Sequence, residues 1–131
     1  MRILSVNVGS SSLKLHVVGD DDRVEEEVEV DAHADHPTVL RTFIARAGMV
    51  DAIAHRLVHG GPAIRRATIV DDTVRGELAA AAALAPLHMP PALALLDEAR
   101  AESDCPQVAC VDTAFHAGMP DAATTYAVPA Q

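Results

Sequence analysis

Two short stretches near the N-terminus alternate apolar and polar residues strictly, and only four residues, Gly9 to Ser12, separate them. In residues 2–8, Leu4, Val6 and Val8 fall on one side and Ser5 and Asn7 on the other. In residues 13–18, Leu13, Leu15 and Val17 oppose Lys14 and His16. A period of two is the mark of a strand with one face buried. A connection this short forces the two strands into an antiparallel hairpin, because a parallel crossover needs a dozen residues or more. The chain must therefore begin as a sheet with one apolar face. Arg23 to Val30 reads as a third strand, with Val24, Val28 and Val30 on one face among acidic residues. Three sequential strands with short links predict a meander.

After a polar loop, Asp31 to Pro37, the spacing changes. Leu40, Phe43 and Ile44 predict a helix over Thr38 to Ala47, with Gly48 as its stop. Ala52 to Val58 reads as a buried strand, broken by His59-Gly60-Gly61-Pro62. Val74 to Ala85 is alanine-rich and predicts a helix. Pro86 to Pro91 is a rigid loop, and its last two prolines can start the next helix, Ala92 to Ala101. Gln107 to Val111 is a final apolar strand, with Asp112 at its end. The expectation is one α/β domain over residues 1–131, a mixed five-stranded sheet with flanking helices. Phe43, Phe115 and Tyr126 are its only aromatic residues, so the core must be aliphatic.

A formal net charge of −9 argues against a nucleic-acid partner, because no basic face offsets it. Any anionic ligand must be held by local groups. The apolar run Leu78 to Ala85 stops at Pro86 and is too short to span a bilayer, so no membrane partner is expected. Met1-Arg2-Ile3-Leu4 enters a strand at once and shows no cleavage pattern. Cys105 and Cys110 read as buried free thiols, and a cytoplasmic location follows as the expectation.

The connection Gly9-Ser10-Ser11-Ser12, with Lys14 just beyond it, offers hydroxyls, backbone amides and a cation at one hairpin tip. Those groups suit a phosphate; equally, they make an ordinary polar hairpin. The order is not that of a P-loop, which places lysine and serine at a helix start. Asn7 could be a neutral oxygen donor to a metal or simply a turn residue. Arg56 interrupts an otherwise apolar strand and needs an anionic partner, either a substrate or an internal acid. Asp112 stands at a strand end, where open α/β sheets place reactive groups, or it acts as an N-cap for the next segment. His55 and His59 would lie about 13 Å apart along a strand, too far to chelate one ion.

Four blocks in order resemble the acetokinase family of the actin-like, sugar-kinase and Hsp70 ATPase superfamily. They are Asn7-Val8-Gly9-Ser10-Ser11-Ser12-Leu13-Lys14, His55-Arg56-Leu57-Val58-His59-Gly60-Gly61, Leu84-Ala85-Pro86-Leu87-His88-Met89-Pro90-Pro91 and Val111-Asp112-Thr113-Ala114-Phe115-His116. Met119-Pro120 and Tyr126-Ala127-Val128-Pro129 follow in the expected order. Met89 stands where the family usually has asparagine, and residues 19–50 match poorly. The resemblance implies an actin-like ATPase (ribonuclease H-like) domain. It implies magnesium-dependent transfer of the ATP γ-phosphoryl group to acetate, giving acetyl phosphate and ADP. Lys14, Ser10 and Ser12 would contact nucleotide phosphate, and Asn7 would help place magnesium. Arg56 would contact substrate and take part in catalysis. Val58 and Leu87 would pocket the acetate methyl, with His88 lining the same site; both apolar residues could equally be plain core.

For Asp112 the resemblance implies a proton donor or acceptor. Acetate is already ionised near neutral pH, so orienting magnesium, its waters and Arg56 is the better role. Only the first of the family's two domains is recognisable; the second, nucleotide-binding domain is expected to be absent, which would leave this chain inactive alone. A homodimer of the full-length parent is a further implication. The alternatives are a non-catalytic actin-like domain that pairs with another chain, and half of a propionate or butyrate kinase.

Overall fold

The computed structural model describes residues 1–125 and 127. The expected Tyr126, Val128 and Pro129 positions lie outside them. Six strands form one sheet: β1 (Ile3–Val8), β2 (Ser12–Val18), β3 (Val24–Asp31), β4 (Ala52–Leu57), β5 (Thr68–Ile69) and β6 (Gln107–Val111). Their order is β3-β2-β1-β4-β6-β5. β1, β2 and β3 make the antiparallel meander, while β1, β4 and β6 run parallel. The sheet is mixed, as the sequence predicts, with one strand more than the five expected. That strand, β5, pairs two residues with β6 at the far edge and is too short to show a period.

Among the described residues, four helices accompany the sheet: α1 (His36–Ala47), α2 (Asp72–Ala81), α3 (Met89–Glu102) and the short α4 (Asp121–Thr124). Asp35 caps α1 by accepting from the Thr38 amide, and Gly48 ends it at φ +67°. Asp71 caps α2 in the same way through the Val74 amide. α2 stops at Ala81, and Ala82–Leu84 tightens into a 3₁₀ turn, so the helix is shorter than its alanines suggest. α3 begins at Met89 instead of Ala92, because the two prolines fit its first turn, where their missing N–H groups cost nothing.

The alternation read in the sequence is the burial pattern of the sheet. Leu4, Val6, Leu13, Leu15 and Val17 are buried, as are Ile53, His55 and Leu57 of β4. α1 and α3 pack on that face, α3 against β1, β4 and β6. Each such leucine contributes about 1.5–3 kcal/mol through burial. β4 is thus buried on one face only, not throughout. Ala54 and Arg56 lie on its other side and are only partly buried.

Two smaller expectations also change. β3 carries a bulge: Val17 faces Glu26 while Val18 faces Val24, so Glu25 is the extra residue. The bulge breaks the alternation, and Val24 is exposed while Val28 and Val30 still pack against the core. Cys105 and Cys110 are both free thiols, but they are half-buried and not sealed in the core. Burial pushes the Cys110 thiol above its ordinary pKa. Among the described residues, no helix is long and apolar enough to cross a membrane.

Candidate phosphate and carboxylate site

The sheet register builds the site. Asn7 pairs with Lys14, and Lys14 pairs with Glu29. Val6 pairs with His55, which puts the following residues, Asn7 and Arg56, side by side on the opposite face. Arg56 pairs with Cys110. A row of side chains therefore crosses five strands on the face away from the helices: Glu29, Lys14, Asn7, Arg56 and Cys110. A strand's period of two makes this possible, since each residue in the row has a core residue on either side.

A cavity of about 580 Å³ opens along this row. The hairpin contributes Asn7, Ser10, Ser12 and Lys14, β4 and its end contribute Arg56 and Val58, and the loop before α3 contributes His88. Seven of the nine residues singled out in the sequence thus meet in one space. The hairpin closes through the Gly9 amide, which donates to the Ser12 carbonyl at 2.8 Å. That amide is therefore committed to the turn, and Ser10, Ser11, Ser12 and Lys14 border the cavity.

Asp112 joins the site through Arg56. It lies at the start of the 3₁₀ turn that comes after β6. Arg56 Nε donates to its Oδ1 at 2.9 Å and Nη2 to its Oδ2 at 2.5 Å, a two-pronged pair. Both side chains are 42% exposed. Arg56 is therefore not the buried cation that its apolar strand suggested, and its internal acid partner is Asp112. The pairing depends on a close approach behind it. A Cβ on Gly60 would meet the Ile64 carbonyl oxygen at 2.3 Å and a Val111 methyl at 2.9 Å. Only glycine fits there, and its amide donates to Thr113 Oγ1 at 3.2 Å. That bond joins the end of β4 to the turn carrying Asp112.

Leu87 does not line the cavity that Val58 borders. It is 83% exposed and lines a second cavity of about 360 Å³ together with Val8, His36 and Pro91. Ser10 and His88 border both cavities. Met89, the departure from the family pattern, is fully buried at the start of α3. It serves the core and does not reach either cavity.

Directly behind Arg56, His55 is 1% exposed. Its Nε2 pairs with Gln107 Oε1 at 2.8 Å, while Nδ1 has no partner among the described residues. Burial lowers its pKa, opposed by the Gln107 bond, so it is held neutral.

Sequence reasoning missed Glu29. Its Oε1 accepts from Ser12 Oγ at 3.0 Å and lies 3.2 Å from Lys14 Nζ. Those two partners hold its carboxyl below the usual carboxylate range. The signal was present in the alternation of β3, but the bulge at Glu25 hides which acid faces Lys14.

A fork-shaped cation on an acid, facing a serine- and lysine-lined hairpin across one cavity, suits a ligand with both carboxylate and phosphate character. Comparison with known proteins places the chain in a family. The sequence pattern of the acetokinase family matches residues 38–131. The chain belongs to the acetokinase family. It is 36% identical over 129 residues to an acetate kinase of Helicobacter acinonychis, covering 93% of this chain and 32% of that protein. The crystal structure of an acetate kinase from Entamoeba histolytica superposes with a TM-score of 0.79 at 26% identity, over 98% of this chain and 39% of that one. A propionate kinase from Francisella tularensis gives the same TM-score at 27% identity, over 98% of this chain and 41% of that one. The fold is thus that of the actin-like acetate kinases, and these 131 residues span about a third to two-fifths of such relatives.

Proposed function

We propose that this acetokinase domain forms the acyl and phosphate wall of a kinase that transfers the ATP γ-phosphoryl group to acetate, giving acetyl phosphate and ADP. The observation that carries the reading is the single cavity that unites Ser10, Ser12 and Lys14 with Arg56, which Asp112 holds from beside it. Lys14 and the serines would take nucleotide phosphate. The Arg56 fork would take the carboxylate or the phosphoryl group in transit, with Val58 and His88 beside it and Leu87 closing from the neighbouring cavity. The adenosine side would lie in polypeptide outside these residues, in a cytoplasmic protein that is homodimeric at full length.

Magnesium fits this donor set only as an ion carried in by phosphates. No group of three His, Cys, Asp or Glu side chains is placed to hold a metal among the described residues. The site offers the Asn7 amide oxygen and the Asp112 carboxylate, the latter already shared with Arg56. That is a fair match to an ion that keeps several waters and takes one or two protein ligands. When bound, it would neutralise phosphate charge. Arg56 would align the acceptor carboxylate, and Asp112 would hold Arg56 in its plane. Catalysis would then rest on alignment and on charge stabilisation in the cleft.

A propionate acceptor is the second reading. Val58 and Leu87 line different cavities, so the acyl end has no tight wall among the described residues. One methylene is worth only about 1–3 kcal/mol in such a pocket. Supplying the remaining two-thirds of a relative as a separate polypeptide should restore ATP-dependent acyl phosphate formation, trapped as hydroxamate. Rates with acetate, propionate and butyrate would then rank the acceptors. The 131-residue chain alone should give none. Turnover by the chain alone would overturn the placement of the adenosine side, and no turnover with any acceptor would count against the kinase reading.

A further inference from the structure

One carboxylate oxygen already engages two of the hairpin's donors. Glu29 Oε1 accepts from Ser12 Oγ at 3.0 Å and sits 3.2 Å from Lys14 Nζ. The arrangement comes from register, since Glu29 is the direct cross-strand partner of Lys14 on the cavity face. Its chemistry is that of a competitor. A serine hydroxyl has one proton, and while Ser12 donates it to Glu29 it cannot reach a phosphate oxygen. Lysine has three donors, but a neighbouring carboxylate offsets its charge and repels an incoming anion. The Glu29 side chain is 59% exposed on the edge strand β3, so it can swing into solvent when displaced.

We propose that Glu29 is a built-in counter-anion of the phosphate rim, which stands where a phosphate oxygen would bind and which the phosphate must displace from Ser12 and Lys14. The inference rests on the phosphate-site reading above. It makes Glu29 a determinant of phosphate affinity in its own right, on a strand outside the four family-like blocks.

Pyrophosphate binding to the 131-residue chain, followed by calorimetry, tests it. Glu29→Gln should bind pyrophosphate about ten-fold more tightly than the unmodified chain, the scale of one charge-assisted hydrogen bond. Glu27→Gln makes the same change in net charge on the same strand, next to His16. It should shift affinity less than about two-fold, since exposed charges beyond immediate contact are largely screened. Lys14→Met should abolish binding, and a urea titration of each variant checks that it is folded. If Lys14→Met abolishes binding but Glu29→Gln gains no more than Glu27→Gln, the Glu29 proposal alone is overturned. If Lys14→Met binds as the unmodified chain does, or if no folded variant binds pyrophosphate, the phosphate-site reading falls and the Glu29 proposal with it.

Discussion

Two cations line the same cavity, each paired with a carboxylate, and the two pairs are built differently. On the hairpin side, Lys14 and Ser12 share one oxygen of Glu29 across adjacent antiparallel strands. On the parallel side, Arg56 in the sheet's interior meets both oxygens of Asp112, at the end of the neighbouring strand. The first pair is a point charge beside a movable acid at a sheet edge. The second is a planar fork fixed in orientation. The proposed reaction, which would hold a phosphate and align a carboxylate, would use both kinds.

The largest effect expected from breaking this contrast is at Arg56. Arg56→Lys keeps the charge and removes the fork, and should weaken acetyl phosphate binding to this chain about 30-fold or more, nearly as much as Arg56→Ala, because the two-pronged geometry is lost. Lys14→Arg should cost only about three-fold, since a point charge tolerates replacement by another cation better than a fork does. Equilibrium titration of the four proteins would decide it. Equal losses for the two exchanges would remove the distinction between the sides.

A middle-sized effect concerns the core behind Arg56. His55 is kept neutral by burial, so its folded pKa lies below that of the unfolded chain. The stability this contributes is fully present above the unfolded pKa of about 6.5 and falls as pH drops, until the folded pKa is reached. The slope from this one proton is bounded by about 1.4 kcal/mol per pH unit. Urea midpoints measured from pH 7.5 downward should show this slope in the unmodified chain and lose it in His55→Gln. An unchanged slope in the variant would assign the acid sensitivity elsewhere.

The smallest effect is a control on geometry. Arg75 on α2 also grips an acid with two prongs, Asp97 of α3, at 2.7 and 2.6 Å. No phosphate rim faces that pair. Arg75→Ala should lower stability by about 1 kcal/mol or less, as for other solvent-accessible pairs, and leave acetyl phosphate affinity unchanged. A change in affinity would mean that α2 and α3 transmit to the cavity.

Much of this was legible in the residues. The period of two in β1 and β2, with a short connection between them, dictated the hairpin and its buried face. The four family-like blocks singled out nine candidate side chains, and the fold brings seven of them to one cavity. What stayed hidden was non-local. The union of Arg56 with Asp112 depends on the parallel pairing of β4 with β6, across 56 residues of chain. The separation of Leu87 from Val58 depends on the path of a loop that has no period. Glu29 was masked by a bulge that shifts the count by one residue, and β5 by its length of two.

The neighbours His55 and Arg56 sit on opposite faces of one strand, one in the core and one in the site. A slip of β4 by a single residue would exchange them, driving a guanidinium into the leucine-lined interior beneath α3 and carrying the imidazole out to water. Burying that charge without a partner costs several kcal/mol. The side chain proposed to receive an anion therefore also biases the strand register: a one-residue slip of β4 in either direction buries its cation, and the alignment that leaves it in contact with solvent is the one that sets Arg56 beside Asp112.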